Sequence, residues 1–242
     1  MNGGIGETAM VLAAGLGLRM RPLTLSRPKP LIEVKGKTLI DHGFDRLREA
    51  GVRKAIVNVH YLAEQIEAWA RHQKTPLIEI SDERREILDT GGGIALALPK
   101  LGVGPFFVIN SDSFWLDGKR PAMLGLREAW DDARMDCLLL LCPLARTVGY
   151  EGRGDFVIGG DGRIVRPASN PGEPLAYIGC YLVHPRLFDG APPGKFSMNV
   201  LWDRAIAQGR LHGLVHDGKW LHVGTPQAIA TAEAAMISHD KP

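Results

Sequence analysis

The chain has 242 residues, of which 45% are hydrophobic and 23% are charged. A chain of this length can form one large α/β domain with a buried core, and the composition is that of an ordinary globular protein. The formal net charge of +2 is too small to indicate a nucleic acid or a membrane surface as a partner, and no apolar run approaches the roughly 18 residues of a membrane span. The three cysteines lack CxxC spacing and no secretion signal is recognisable, so we expect reduced thiols and a cytoplasmic protein.

Apolar periodicity predicts alternating strands and helices through the first part of the chain. Apolar runs predict strands at 8–14, 55–59, 77–80, 105–110 and 136–143. Between them, apolar residues near helical spacing predict helices at 38–50, 62–71 and 120–131, with another beginning at residue 93 after three glycines. Strands that alternate with helices indicate a Rossmann-like, mostly parallel sheet with helices on both faces.

The pattern changes from Gly149 onward. Short segments at 155–158, 162–165 and 177–183 are separated by Gly, Pro and Asn, which predicts hairpins or a small antiparallel extension. Helices are predicted again at 199–208 and 226–237, and the proline-rich stretch 167–174 is predicted to be a mobile loop. We therefore expect a single domain, 1–242, with a core at about 8–145 and a second region at about 146–242.

A glycine-rich loop follows the first predicted strand. It reads Leu12-Ala13-Ala14-Gly15-Leu16-Gly17-Leu18-Arg19-Met20-Arg21-Pro22 and lies at the carboxyl end of a strand, where α/β proteins bind ligands. Glycines and small residues let backbone N–H groups approach an anion closely, and two arginines add positive charge. Met20 replaces the third glycine of a dinucleotide-binding fingerprint and Pro22 would end its helix early, which disfavours an NAD-dependent oxidoreductase. The Gly-Lys-Ser/Thr of a Walker loop is also absent.

Two further motifs carry charge. Lys29 stands between Pro28 and Pro30, whose fixed backbone stiffens the segment and aims the lysine, which suits a contact with a phosphoryl group. Asp112 follows the apolar strand at 105–110, so we expect it on the same rim of the sheet as the glycine loop. A carboxylate at that place can hold Mg²⁺ against a triphosphate. Taken alone, a Pro-Lys-Pro segment is usually a surface turn, and an isolated Asn-Ser-Asp segment is more typical of an aspartate that caps a turn.

Taken together, residues 12–24, residues 28–31 and Asp112 resemble the sugar-1-phosphate nucleotidylyltransferase family, the first two almost residue for residue. Within that family the chain is most similar to the short N-acetylmuramate 1-phosphate uridylyltransferases, a similarity that extends over essentially the whole sequence. It includes the stretches Asp89-Thr90-Gly91-Gly92-Gly93-Ile94 and Gly152-Arg153-Gly154-Asp155-Phe156, and the lack of a C-terminal β-helix. Short mannose 1-phosphate guanylyltransferases look similar too.

The resemblance implies a set of site residues. Contacts with the nucleotide are expected from Leu12, Ala13, Ala14, Gly15 and Gly17, and from Gly91 and Gly92 facing the base. Arg19 would neutralise the departing pyrophosphate, Lys29 would contact the α-phosphoryl and the sugar phosphate, and Asp112 would hold Mg²⁺. The second region would bind the sugar phosphate through Asp155, Arg166 and Gly179.

Two residues depart from the family pattern. Arg166 precedes Pro167 where many members carry a lysine, and arginine is not equivalent to lysine as a phosphate ligand. His222, in Trp220-Leu221-His222-Val223-Gly224-Thr225, stands where the family's second metal carboxylate is expected. The resemblance implies Mg²⁺ as the cofactor. Because an imidazole is a poor ligand for Mg²⁺ and a better one for Mn²⁺, we expect Mn²⁺ as an alternative and treat His222 as a candidate metal ligand.

The resemblance implies transfer of a uridylyl group from UTP to N-acetylmuramate 1-phosphate, with release of pyrophosphate, in cell-wall sugar recycling. Formation of GDP-mannose from GTP remains open within the same family. Because of His222, a nucleotide-sugar-binding regulator with weak catalysis remains open as well. We expect a monomer or a weak homo-oligomer whose partners are its two small-molecule substrates.

Overall fold

The computed structural model describes residues 4–169 and 172–239. Within these ranges the α-helices are α1 (Leu39–Glu49), α2 (Ala63–Arg71), α3 (Asp89–Leu101), α4 (Ala122–Ala129), α5 (Met198–Ala207) and α6 (Gln227–His239). The strands are β1 (Thr8–Leu12), β2 (Glu33–Val34), β3 (Lys37–Thr38), β4 (Lys54–Val59), β5 (Leu77–Asp82), β6 (Phe106–Asn110), β7 (Ser113–Leu116), β8 (Cys137–Pro143), β9 (Thr147–Val148), β10 (Val157–Ile158), β11 (Ile164–Val165), β12 (Leu175–Val183), β13 (Leu211–Val215) and β14 (Lys219–His222).

A seven-stranded sheet forms the centre of the molecule, in the order β13-β8-β12-β6-β1-β4-β5. Strands β6, β1, β4 and β5 are parallel neighbours, whereas β12 runs antiparallel to both β6 and β8. The predicted Rossmann-like, mostly parallel sheet is therefore confirmed. Because the carboxyl ends of β6, β1 and β4 meet at one rim, the segments that follow these strands converge there.

Both faces of the sheet are covered by helices, as the sequence predicts. Ala9 and Val11 of β1 belong to a buried apolar cluster with side chains of α1, α2 and α4, among them Phe44. Met10 points to the opposite face and belongs to a second cluster, which includes side chains of α3 and α5 such as Trp202. The alternation along β1 follows from the two-residue period of a strand.

The segment predicted as a hairpin or antiparallel extension at 177–183 has a different position. It is part of β12, which lies inside the central sheet between β6 and β8. Eight of its nine residues are buried, which is typical of an inner strand that is covered on both faces. The hairpin expected from 155–158 and 162–165 does form, as the antiparallel pair β10–β11. β12 and β13 belong to the same sheet as β1. The division into a core and a second region near residue 145 therefore stays a prediction.

Four smaller expectations concern the start of α3, the proline-rich loop, the cysteines and membrane spans. Helix α3 begins at Asp89, four residues before its predicted start, so the three glycines lie inside the helix. In the predicted mobile loop, Pro167–Ser169 form a 3-10 turn, while Asn170 and Pro171 lie outside the described residues. The three cysteines are free and buried. No helix in the described ranges is both long and apolar enough to cross a membrane.

Candidate active site

Two adjoining cavities open where the strands β1, β4 and β6 end. The first, here the loop cavity, has a volume of about 490 Å³ and is lined by the glycine-rich loop, Lys29 and Asp112. The second, here the α5 cavity, has a volume of about 220 Å³ and is lined in part by the first residues of α5. Leu12, Asp89, Thr90 and Asn110 line both cavities. The arrangement can therefore hold two ligands side by side.

Gly17 and Gly15 have different roles in the loop. Gly17 has a φ of +62°, and a Cβ there would lie 3.1 Å from Cβ of Lys29, so the fold itself requires glycine. The loop is fixed at this point because the Thr24 hydroxyl donates to the Gly17 carbonyl at 2.8 Å. Gly15 has no left-handed φ and no atom within 4 Å of a Cβ, yet it lines the loop cavity. The space beside Gly15 is therefore open to a ligand that approaches the backbone closely.

Asn58 and Glu83 form a buried, hydrogen-bonded pair, here the Asn58–Glu83 arm, that supports the loop. Neither residue was predicted from the sequence. The Ala13 N–H donates to Oδ1 of Asn58 at 2.6 Å, and Nδ2 of Asn58 donates to Oε1 of Glu83 at 2.7 Å. The second carboxylate oxygen of Glu83 accepts the Leu88 N–H at 3.1 Å, and burial raises the pKa of Glu83. Asn58 and Glu83 also line the loop cavity. The one sequence signal was a polar Asn58 inside the apolar strand β4.

The structure places Gly91 and Gly92, which the resemblance implies face a base, against the segment 194–196. Their N–H groups donate to the Phe196 carbonyl at 2.9 and 3.1 Å, and neither glycine lines the loop cavity. A Cβ on Gly91 would lie 2.3 Å from the Phe196 ring, and one on Gly92 would lie 2.3 Å from the Gly194 carbonyl oxygen. Close packing of α3 against the segment 194–196 thus accounts for both glycines. Their neighbours Asp89 and Thr90 line the cavity instead.

The structure brings Lys29 and Asp112 together from 83 positions apart. Lys29 begins a short 3-10 turn after Pro28, and Asp112 lies between β6 and β7. Nζ of Lys29 donates to Oδ2 of Asp112 at 2.6 Å, and the two side chains are 10% and 35% exposed. This cation and this carboxylate both line the loop cavity, which the glycine-rich loop also lines.

His222 lies beside this ion pair. In the β14–β7 register His222 pairs with Ser113, the residue that follows Asp112. Burial and then the positive charge of Lys29 lower the pKa of His222; Arg19 acts in the same direction and Asp112 opposes it. The neutral imidazole is therefore favoured at neutral pH. In this form His222 adds no charge to the site but offers one ring nitrogen as an acceptor.

Arg19 provides an uncompensated positive charge at the cavity. It belongs to the 3-10 turn Leu18–Met20, is exposed, and lines the loop cavity. No hydrogen bond or ion pair to its side chain comes from any other residue within 4–169 or 172–239. Such a cation can pair with an anionic group of a ligand without first breaking a contact inside the protein.

Asp155 and Arg166, which the resemblance implies bind the sugar phosphate, both line the α5 cavity. Oδ2 of Asp155 accepts the Tyr177 N–H at 2.8 Å, which fixes the carboxylate. Nε of Arg166 donates to Oδ1 of Asp203 at 2.9 Å. Neither Asp155 nor Arg166 lines the loop cavity, so the two residues lie apart from Lys29 and Asp112.

Gly179, the third residue expected at the sugar phosphate, lies behind the wall of the cavities. Its φ is +80°, at the point where the β12–β8 register shifts. A Cβ there would lie 2.9 Å from Cβ of Ser113 and 3.0 Å from Nδ2 of Asn110. Gly179 therefore lets β12 pass close beneath Asn110, which lines both cavities, and makes no wall contact of its own.

The donor set around Asp112 fits one kind of metal site. Within 4–169 and 172–239 there is no cluster of three or more His, Cys, Asp or Glu that could enclose a metal ion. Asp112 is a single carboxylate with a neutral His222 beside it. Magnesium is commonly held by one or two carboxylates together with phosphates and waters. The residues thus fit a divalent ion bound jointly with a polyphosphate, and they do not fit an all-protein metal site.

The carboxyl edge of the parallel strands carries a loop open to an anion, a lysine paired with a carboxylate, and two joined cavities. Together these features define a nucleotide-binding α/β enzyme with room for a second substrate. The profile of the family described as Nucleotidyl transferase matches residues 8–239, and the chain belongs to this family. The expectation of a nucleotidyltransferase is thereby confirmed.

Similarity to individual proteins extends over nearly the whole chain. The chain is 47% identical over 234 residues to the N-acetylmuramate alpha-1-phosphate uridylyltransferase of Caulobacter vibrioides, covering 95% of this chain and 97% of that protein. It is 34% identical to the protein of the same name from Neisseria meningitidis, covering 93% and 96% of the two chains. A solved structure of UDP-glucose pyrophosphorylase complexed with UDP-glucose superposes with a TM-score of 0.79 at 18% identity, covering 97% of this chain and 99% of that one. At that identity the likeness shows the fold.

Proposed function

We propose that the protein transfers the uridylyl group of UTP to N-acetylmuramate 1-phosphate and releases pyrophosphate. The observation that carries the proposal is the pair of joined cavities, with Lys29 and Asp112 facing the first and Arg166 lining the second. The two uridylyltransferases that cover almost the whole chain support the choice of UTP and of this sugar. We place the reaction in the cytoplasm, where UTP is available, and in the recycling of cell-wall sugars.

The proposed reaction needs alignment and positive charge more than acid–base chemistry. An oxygen of the sugar phosphate attacks the α-phosphorus, a new O–P bond forms, and the bond from the α-phosphorus to the bridging oxygen of pyrophosphate breaks. Two anions must meet in this step, so Lys29 contributes by pairing with the reacting phosphates. Arg19 contributes at the exposed end of the loop, where it neutralises the departing pyrophosphate. The sugar phosphate is already ionised at neutral pH, so no general base is required.

Asp112 is the residue proposed to hold Mg²⁺ together with the nucleotide phosphates. When bound, the ion screens the negative charge of the phosphates. The ion pair between Asp112 and Lys29 supports this proposal. It holds a carboxylate for the metal ion and a cation for the phosphates together at the loop cavity. A neutral His222 beside them suits Mn²⁺ as a substitute for Mg²⁺.

A matrix of four nucleoside triphosphates against several sugar 1-phosphates, read by pyrophosphate release, tests the proposal. The highest kcat/KM is expected for UTP with N-acetylmuramate 1-phosphate. Faster turnover of GTP with mannose 1-phosphate would favour the second candidate. The chain is also 30% identical to mannose-1-phosphate guanylyltransferase 1 of Arabidopsis thaliana, over 92% of this chain and 63% of that protein. Tight binding of nucleotide without turnover of any pair would instead indicate a regulator.

A further inference from the structure

We propose that Arg166 binds the carboxylate that distinguishes N-acetylmuramate 1-phosphate from other N-acetylated sugar phosphates. The proposal rests on the proposed function and assigns the specificity of its sugar site. N-acetylmuramate 1-phosphate carries two anionic groups, the phosphate at C1 and the carboxylate of the lactyl ether at C3. N-acetylglucosamine 1-phosphate has the same ring and the same phosphate but lacks that carboxylate, so one cation away from the phosphate can tell the two apart.

The positive charges of the site are divided between the two cavities. Lys29 and Arg19 line the loop cavity and do not line the α5 cavity. The reacting phosphate must reach the α-phosphorus of a nucleotide in the loop cavity, where Lys29 is its counter-charge and Arg19 faces the departing pyrophosphate. Among the described residues that line the α5 cavity, Arg166 is the one cation. It is therefore placed to meet a second anion at the far end of the sugar.

The guanidinium of Arg166 is held rigidly. It stacks over the Phe156 ring, with 4.6 Å between Cζ and the ring centroid. Its Nε donates to Oδ1 of Asp203 at 2.9 Å, and its Nη2 donates to Oδ1 of Asn199 at 2.8 Å. The Nη1 group, with two N–H donors, has no hydrogen-bond partner within the described part of the chain. A lysine could not be stacked and held along two edges in this way, which gives the arginine a physical reason.

The surrounding charges leave Arg166 available for an anion. Asp203 forms an ion pair with Arg166, with 2.8 Å between its Oδ1 and Nη2. Because the Asp203 side chain is 60% exposed, water screens this charge, and the Nη1 edge of the Arg166 guanidinium stays open to a second anion. Helix α5 begins at Met198 and its positive end adjoins the same cavity. The Met198 N–H already donates to Thr90 Oγ1 at 2.9 Å, so the helix adds only its field. Asp155, held by the Tyr177 N–H, suits the sugar hydroxyls, which are donors.

The test compares two acceptors in Arg166→Gln, because both acceptors carry the phosphate and only one carries the carboxylate. With UTP saturating, kcat/KM for N-acetylmuramate 1-phosphate should fall about 10- to 100-fold, the scale of losing a hydrogen bond to a charged group. The kcat/KM for N-acetylglucosamine 1-phosphate should stay within about twofold of the parent value. Titration calorimetry of the two sugar phosphates gives the same comparison where turnover is slow.

Two further variants keep the test decisive. Arg163→Gln removes an exposed arginine that precedes β11 and lines neither cavity, so it should change neither acceptor. Arg166→Lys should show the same preference loss in weaker form, and it replaces the glutamine variant if thermal melting shows that variant unfolded.

Equal losses for both acceptors would overturn the proposal, because Arg166 would then act on the phosphate or on the fold. No change for either acceptor would overturn it as well. If the parent protein turns over neither sugar phosphate, the proposed function fails and this inference fails with it, a result distinct from both of the others.

Discussion

Replacement of Lys29 by methionine separates the catalytic role of this residue from its structural one. Methionine keeps most of the side-chain volume, so the change removes the charge and the 2.6 Å contact with Asp112. A hydrogen bond between charged groups contributes about 1.5–3 kcal/mol when buried. Because the Asp112 side chain is 35% exposed and can be hydrated, we expect a stability loss of only about 1 kcal/mol. That loss corresponds to a fall in Tm of about 2–4 °C for a domain of this size.

The effect of Lys29→Met on turnover should be far larger. Removal of a preorganised electrostatic stabiliser lowers kcat by about two to three orders of magnitude. Pyrophosphate release with UTP and N-acetylmuramate 1-phosphate measures this loss, and a thermal melt measures the other. Lys37→Met is the matched control, since Lys37 pairs with Asp45 and lines neither cavity. A folded Lys29→Met protein that turns over within tenfold of the parent would refute the assignment of this lysine.

Four other substitutions test separate parts of the site and the fold. Arg19→Ala should lower kcat about 100-fold or more in the pyrophosphate assay while Tm stays unchanged, because Arg19 is exposed and unpaired among the described residues; unchanged turnover would remove it from the mechanism. Asp112→Asn should abolish most activity with the fold intact, since a neutral amide cannot balance a dication, and activity within a few-fold of the parent would move the metal site elsewhere. His222→Asp should retain activity, lower the Mg²⁺ concentration needed for half-maximal rate and cancel any advantage of Mn²⁺, as metal titrations would show; a folded but inactive variant would reveal an essential imidazole. His212→Leu should raise the free energy of unfolding by about 1–3 kcal/mol, because neither ring nitrogen of this buried histidine has a hydrogen-bond partner within residues 4–169 and 172–239. Burial lowers the pKa of His212 in the folded state, so the unfolded state binds the proton first as pH falls below about 6.5 and the parent loses stability there. The advantage of His212→Leu should therefore be larger at acidic than at neutral pH in urea unfolding, and a constant or shrinking difference would contradict this reasoning.

Local patterns in the sequence determined the elements and the rim of the site. The spacing of apolar residues predicts β1, α1, β4 and α2 to within two residues, because helical and strand periodicity reflect the burial of one face or both. The common position of the glycine loop and Asp112 also follows from sequence, since both come directly after strands that are parallel in the sheet. The single charge difference at His222 was visible at once against the family pattern.

Contacts between distant segments were decided only by the tertiary structure. The position of β12 inside the central sheet depends on what covers its two faces, which periodicity along β12 does not report. The Asn58–Glu83 arm beneath the loop joins the ends of two strands, and each residue alone looks like an ordinary polar position. Gly91 and Gly92 are glycines because the segment 194–196 packs against them, a neighbour about 100 positions away. Sequence thus determined which residues reach the rim, and the packing of remote segments determined which of them face the cavities, because side-chain surroundings are set by the whole fold.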